Sequence, residues 1–402
     1  MSYIKVQFPN GRGQVLSGRL DLPLNKYIDG YAIFAHVFTG NQNLIASKYI
    51  SRALTMQNIA VLRFDFTGLG ESEGEFSNTN FSTNIEDIIA AADFLTKEYQ
   101  APEMIIGQSL GGAASIFAAE RIESVKAVAT IAAPSEPEHV MHLFGCQKED
   151  IINNGSAEIV IGGQSYTIKK QFLEDVQLKK MATKIKDLRK AIMIMHSPQD
   201  EIVEIENAAK IYHAAFHPKS FVTLDGTDHM LSNKEDAFYA GSVIASWVKR
   251  YINIPSRNNL ETEHQVIAQL DGSKFTTEIK AGKHTLVADE PKSVGGNDYG
   301  PTPYDLLNAS LSACTAMTLK MYANRKKWDL QDVKVHMSFS RVHEKDMENA
   351  SGKNGRLERF EKVLELKGDL DEAQKERLVE IAGRCPVHRT LEGSPHFITR
   401  LK

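Results

Sequence analysis

The sequence predicts an α/β fold on a doubly wound, mostly parallel sheet with a small cap insertion, followed by a separate α+β domain. Three observations predict it. Short, wholly apolar runs such as Met104-Ile-Ile and Ala191-Ile-Met-Ile-Met195 read as strands buried on both faces. A serine, Ser109, stands between Gly107 and Gly111-Gly112 directly behind the first of these runs. Past the polar, proline-broken stretch Ile252 to Leu260 the texture changes, and 402 residues exceed what one ordinary core organises.

The first element to justify is the turn at Ser109. A buried strand that turns sharply into a helix lifts a serine hydroxyl into a pocket, and the residues flanking it must be small because the bend leaves no room. Ala113 to Glu120 supplies the helix, whose N-terminus would face a developing oxyanion. Two partners follow in chain order. The strand ending at Met195 leads into His196-Ser-Pro-Gln-Asp200, and a second strand, Ser220 to Leu224, leads into Asp225-Gly-Thr-Asp228-His229. Ser109, Asp200 and His229 are therefore expected as nucleophile, orienting acid and base. Glu201, Asp225 and Asp228 are competitors for the acid; Asp228 is a poor one, since neighbouring side chains on extended backbone point apart.

Together with Tyr31-Ala-Ile-Phe-Ala35, the loop His36-Val37-Phe38-Thr39-Gly40 and the run Val61 to Ser72, these motifs resemble the α/β-hydrolase superfamily. The resemblance spans roughly residues 10–252 and is to the serine aminopeptidase-like, monoglyceride-lipase-like branch. It implies an oxyanion hole made by the backbone N–H groups of Phe38 and Leu110, with Val37 standing where the family has glycine. It also implies that the departure from βα rhythm at about 135–190 is a cap over the site. Ala157 to Ile168 alternates around Gly162-Gly163 and reads as a hairpin within that cap.

Composition narrows the partners. With 42% hydrophobic and 24% charged residues the chain is globular, and a net charge of −4 argues against a dedicated nucleic-acid binder. No apolar run is long enough to span a bilayer, and the opening residues lack a basic region followed by an apolar core. Three cysteines do not make a secreted disulfide framework. A cytoplasmic protein without nucleic-acid or membrane partners is expected. Its domains are expected at 1–252 and 263–402, joined by a linker at 253–262.

The second domain opens with two strands around Asp271-Gly272 and a third at His284 to Asp289. A loop rich in glycine and proline, Gly295 to Pro303, precedes a helix from Tyr304 to Lys327, whose buried stripe is expected at Leu307, Leu311, Cys314, Met317 and Met321. Val333 to Phe339 alternates as a strand. A second helix, Glu372 to Gly383, is expected to end at Cys385-Pro386. Gly300 to Cys314 and Gly383 to Leu391 carry a resemblance to the OsmC/Ohr family of thiol peroxidases.

That resemblance implies an intertwined homodimer in which Cys314 attacks an organic hydroperoxide, Cys385 resolves the sulfenic acid, and a small dithiol resets the pair. Asp305 is the nearest acid to the position where the family has glutamate. No arginine precedes Cys314 from Leu260 on, leaving Lys274, Lys280, Lys283 and Lys292 as cations. The alternative reading makes both thiols packing residues and the domain a non-catalytic dimerisation module. Cys385-x-x-His388 lacks a second ligand pair at suitable spacing, so neither a metal nor a bound cofactor is expected. The reading at this point is a serine hydrolase for a small acyl ester or thioester, fused to a thiol domain that reduces organic hydroperoxides.

Overall fold

The computed structural model describes residues 2–24, 27–255, 260–272, 274–343 and 356–401. The chain divides into two compact units, Met1–Asn258 and Asn259–Lys402. Of the expected linker, residues 256–259 lie outside the described residues.

The first unit is an eight-stranded sheet in the order β1-β2-β4-β3-β5-β6-β9-β10. Its strands are β1 (Ser2–Pro9), β2 (Val15–Leu22), β3 (Gly30–Ala35), β4 (Ile59–Phe64), β5 (Met104–Gln108), β6 (Ala127–Ile131), β9 (Ala191–His196) and β10 (Lys219–Thr223). Strands β1 and β2 are antiparallel to their neighbours; from β4 through β10 every pairing is parallel. Crossovers are made by α1 (Ile45–Met56), α2 (Phe81–Glu98), α3 (Leu110–Arg121) and α7 (Glu206–Ala214), and α8 (Lys234–Val248) follows the last strand. Alternate strand residues feed two cores. Ile33, Leu62, Ile105 and Val128 join the layer of α2 and α3, whereas Phe34, Val61, Ile106 and Ala129 join that of α1 and α8. This two-sided burial explains why the strands read as unbroken apolar runs.

Between β6 and β9 lies the insertion. It holds a 3₁₀ segment (Pro137–Phe144), α4 (Gln147–Asn154), the hairpin of β7 (Ser156–Ile161) and β8 (Gln164–Lys169), α5 (Lys170–Leu178) and α6 (Met181–Asp187). Gly162 and Gly163 have φ of +59° and +80°, the pair of left-handed residues that a two-residue hairpin turn requires. The insertion is tied down by Asp175 of α5, which accepts from the N–H and Oγ of Ser82 at the start of α2 at 2.6 and 2.7 Å.

The second unit has a three-stranded sheet of β11 (Val266–Leu270), β12 (Thr277–Ala281) and β13 (His284–Ala288). Then come α9 (Pro303–Lys326), an antiparallel pair of long strands β14 (Asp332–His343) and β15 (Arg356–Lys367), α10 (Glu372–Ala382) and α11 (Pro386–Glu392). Helix α9 begins on a reciprocal cap between Thr302 and Asp305 with Pro303 at its first position. Leu319, Ala323, Leu378 and Ile381 form the core between α9 and α10.

Two expectations are corrected here. The buried stripe of α9 is Leu311, Thr315, Leu319 and Ala323, while Met317 and Met321 are 65% and 73% exposed. Threonine enters the stripe because its hydroxyl is satisfied within the helix, donating to the Leu311 carbonyl at 2.8 Å. Pro386 does not merely end a helix. It opens α11, for which Cys385 is the N-cap, because a proline at the first helical position removes only an N–H that would have no partner there.

Candidate active site

The strand β5 delivers Ser109 at φ 53° and ψ −127°, a conformation non-glycine residues rarely hold. The bend is fixed by backbone: the Ser109 N–H donates to the Ile131 carbonyl at 2.8 Å, and its carbonyl accepts from Gly112 at 2.8 Å. A Cβ at Gly107 would stand 2.3 Å from the Gly111 carbonyl oxygen, and one at Gly111 would stand 2.3 Å from that of His36. The small residues around Ser109 are thus required by close backbone approach.

His229, carried by the loop after β10, places Nε2 2.9 Å from Ser109 Oγ and Nδ1 2.8 Å from Asp200 Oδ2. The other oxygen of Asp200 accepts from the N–H groups of Ile202 and Val203, both at 2.9 Å. Burial pushes the Asp200 carboxyl up, but the His229 hydrogen bond and these two amides outweigh it and hold it below the ordinary range. The three predicted residues are therefore brought into one line. The competitors are not: Asp228 is taken up by the Ser232 N–H at 2.8 Å, and Asp225 is exposed.

His196 has a place that its sequence context left unread. It is fully buried at the end of β9, donating Nε2–H to the Val203 carbonyl at 2.7 Å, with Asp200 Oδ2 at 3.6 Å. Burial is the leading cause holding it below the ordinary histidine pKa. It braces the loop that presents Asp200, and Ser197 ties that loop to the next by donating to the Thr227 carbonyl at 2.7 Å. A histidine four positions before the expected acid is a signal too common to assign such a role from sequence.

The loop after β3 approaches from the other side. Val37 does not adopt left-handed backbone; that conformation falls on Thr39 at φ 58°, and the turn closes through Gly40 N–H to the Val37 carbonyl at 3.0 Å. Valine therefore fits where a glycine was expected. His36 is buried, with Nδ1–H toward the Val37 carbonyl at 2.8 Å and Nε2 accepting from the Phe66 N–H at 3.3 Å. Burial lowers its pKa, which keeps it in the neutral form this bridge needs.

Phe38, Ser109, Leu110 and His229 line one cavity of about 440 Å³. The insertion supplies the far wall with His139, Val140, His142, Leu143, Ile161 and Tyr166. The Tyr166 hydroxyl reaches the Thr39 carbonyl at 3.3 Å, and the Phe38 ring packs 5.2 Å from that of Phe172. The wall opposite the serine is thus made by the residues expected to form a cap.

In the second unit, Cys385 is buried and Cys314 partly so; both are free thiols. Cys385 Sγ accepts from the His388 N–H at 3.4 Å and lies 3.6 Å from the Thr315 hydroxyl oxygen, with Cys314 also acting on it. Burial raises its pKa, but these contacts and the charge of Lys362 leave it below the ordinary value for a thiol. Asp305 does not stand at the thiols. Its carboxylate caps α9 by accepting from Thr302, and Cys314 follows nine residues later on the same helix, about 13 Å along the axis. The lysine whose charge acts on Cys385 is Lys362 of β15, which the expected set of Lys274, Lys280, Lys283 and Lys292 did not include. Among the described residues no cluster of three histidine, cysteine or acidic side chains could hold a metal ion. None of their helices is long and apolar enough to cross a membrane.

This fold and this line of serine, histidine and aspartate define an α/β-hydrolase unit, and the comparisons with known proteins agree. Residues 46–153 match the serine aminopeptidase family and residues 295–400 the OsmC-like protein family. The esterase domain of a Rhodothermus marinus protein is 46% identical, covering 62% of this chain and 99% of its own, with a TM-score of 0.53. Est1E of Butyrivibrio proteoclasticus, solved with ferulic acid bound, shares the fold at 20% identity, covering 61% of this chain and 98% of its own, with a TM-score of 0.53. Mouse α/β hydrolase domain-containing protein 10 does so at 19% identity, 62% and 99% coverage, and a TM-score of 0.52. Comparison with curated proteins gives no match. The chain belongs to the α/β-hydrolases, with an OsmC-like region at its C-terminal end.

Proposed function

We propose that the first unit hydrolyses carboxylic esters or thioesters through an acyl-enzyme on Ser109. The observation that carries this is the hydrogen-bonded line Ser109–His229–Asp200 opening into the capped cavity. In this reading His229 takes the serine proton as Oγ attacks the carbonyl carbon, and Asp200 stabilises the imidazolium that results. The N–H groups of Phe38 and Leu110 receive the oxyanion. His229 then returns the proton to the leaving alcohol or thiol, and water repeats the sequence to release the acid. A cavity of this size with apolar walls at Val140, Leu143 and Ile161 supports an acyl group of modest length. Labelling with a fluorophosphonate probe tests the reading. Modification should fall on Ser109 and vanish when His229 is replaced; modification elsewhere, or none, rejects it.

For the second unit the proposed chemistry is reduction of organic hydroperoxides. The Cys314 thiolate attacks the peroxide, the O–O bond breaks, an alcohol leaves and a sulfenic acid remains. Cys385 displaces the hydroxyl as water to form a disulfide, which a small dithiol reduces while being oxidised itself. The influence of Cys314 on the Cys385 thiol supports this. Peroxide consumption unchanged in Cys314→Ser would reject it. A second reading, a non-catalytic module that pairs two chains, is favoured by the exposed Met317 and Met321 of α9. A dimer in sedimentation that Met321→Glu dissociates, together with peroxide consumption unchanged in Cys314→Ser, supports this second reading; consumption lost in Cys314→Ser rejects it.

A further inference from the structure

We propose that Lys362 is the cation that favours the thiolate form of the Cys314–Cys385 pair, and that His388 and Glu392 hold it in place. The inference rests on the reading of these thiols as a redox pair. Lys362 projects from β15 and donates from Nζ to the Ala382 carbonyl at 2.9 Å, at the end of α10. The same ammonium lies 2.6 Å from His388 Nδ1. Since a lysine ammonium only donates, Nδ1 must accept, and the ring proton stands on Nε2, 2.8 Å from Glu392 Oε1. The His388 backbone N–H in turn donates to Cys385 Sγ at 3.4 Å. One turn of helix thus fixes the ammonium by its side chain and the sulfur by its amide.

This placement matters because the thiolate, not the thiol, attacks a peroxide or a sulfenic acid. A fixed ammonium nearby favours it. Burial pushes the Lys362 pKa down, while the charges of Cys385, Glu392 and Cys314 push it up, so the lysine and the thiols are electrostatically linked. The charges that act on Lys362 are those of Cys385, Glu392 and Cys314, and His388 accepts from its ammonium while lying 2.8 Å from Glu392. A histidine–glutamate pair behind the lysine keeps its hydrogen bond directed without competing for the sulfur.

The test is a pH titration of ultraviolet thiolate absorbance in the reduced full-length protein carrying Cys146→Ser. The unsubstituted site should ionise below an ordinary thiol. Lys362→Met should raise the midpoint by about one unit, a tenfold fall in thiolate at a pH below both midpoints. Lys362→Arg should restore most of the shift. A midpoint unchanged in folded Lys362→Met overturns the proposal. If that variant does not fold, His388→Gln decides, because it frees the ammonium while leaving its charge: a raised midpoint supports the proposal and an unchanged one overturns it. An ordinary midpoint in the unsubstituted site rejects the redox-pair reading itself, and the lysine's role with it.

Discussion

Ser109 reaches its position through three contacts of one kind, in which a neighbouring backbone comes too close for any side chain. At Gly111 a methyl group would meet the His36 and Ala35 carbonyl oxygens at 2.3 and 2.6 Å. Gly111→Ala should therefore cost about 1–3 kcal/mol in urea unfolding and lower esterase activity, since the loop bearing Phe38 must retreat. Ser109→Ala should leave stability unchanged and lower kcat/KM for a p-nitrophenyl ester by about 10⁴-fold or more. Two buried histidines give a pH dependence of defined sign. His36 and His196 have folded pKa values below the unfolded one, so the unfolded chain binds more protons as the medium becomes acid. Their contribution is intact above the unfolded value of about 6.5 and is lost as pH falls from there toward the folded values. The urea midpoint should drop between about pH 7.5 and 5.5, and by less in His36→Asn.

The elements differ in how their neighbours fix them. Strand β4 carries Arg63, which is buried and paired to Asp21 of β2 through Nε at 2.5 Å and Nη2 at 3.0 Å. It also donates to the Gln42 carbonyl. That pair joins the antiparallel edge of the sheet to its parallel centre. Arg63→Leu leaves Asp21 an uncompensated buried charge and should cost about 3–5 kcal/mol, measured by denaturant unfolding. Reading the parallel strands from the sequence was straightforward, because burial on two faces writes a continuous apolar run. The antiparallel opening β1 and β2, with polar residues alternating, carried no such mark. Strand β15 bears neither an apolar run nor strict alternation, since the charged doublets Glu358-Arg359 and Glu361-Lys362 interrupt it, and its partner β14 fixes it through pairing. Lys362, the cation beside the thiols, lies on that strand.

At the scale of the whole molecule, the chain carries two units with separate cores and separate candidate chemistries. Cys314→Ser should leave p-nitrophenyl ester kcat/KM unchanged, and Ser109→Ala should leave the reactivity of the thiols unchanged. Loss of both activities in either variant would show coupling that separate cores do not supply. Fold class, the elbow at Ser109, the order Ser109, Asp200, His229 and the two cysteines are legible in the amino-acid string, because each depends on local rules of backbone space, apolar run length and residue type. Three-dimensional packing settles where Asp228 and Asp305 place their carboxylates and which lysine acts on the thiols. It also decided that α9 buries Thr315 and exposes Met317. Those outcomes turn on which surfaces and charges are brought within a few ångströms by residues distant in the chain, and no local pattern records that distance.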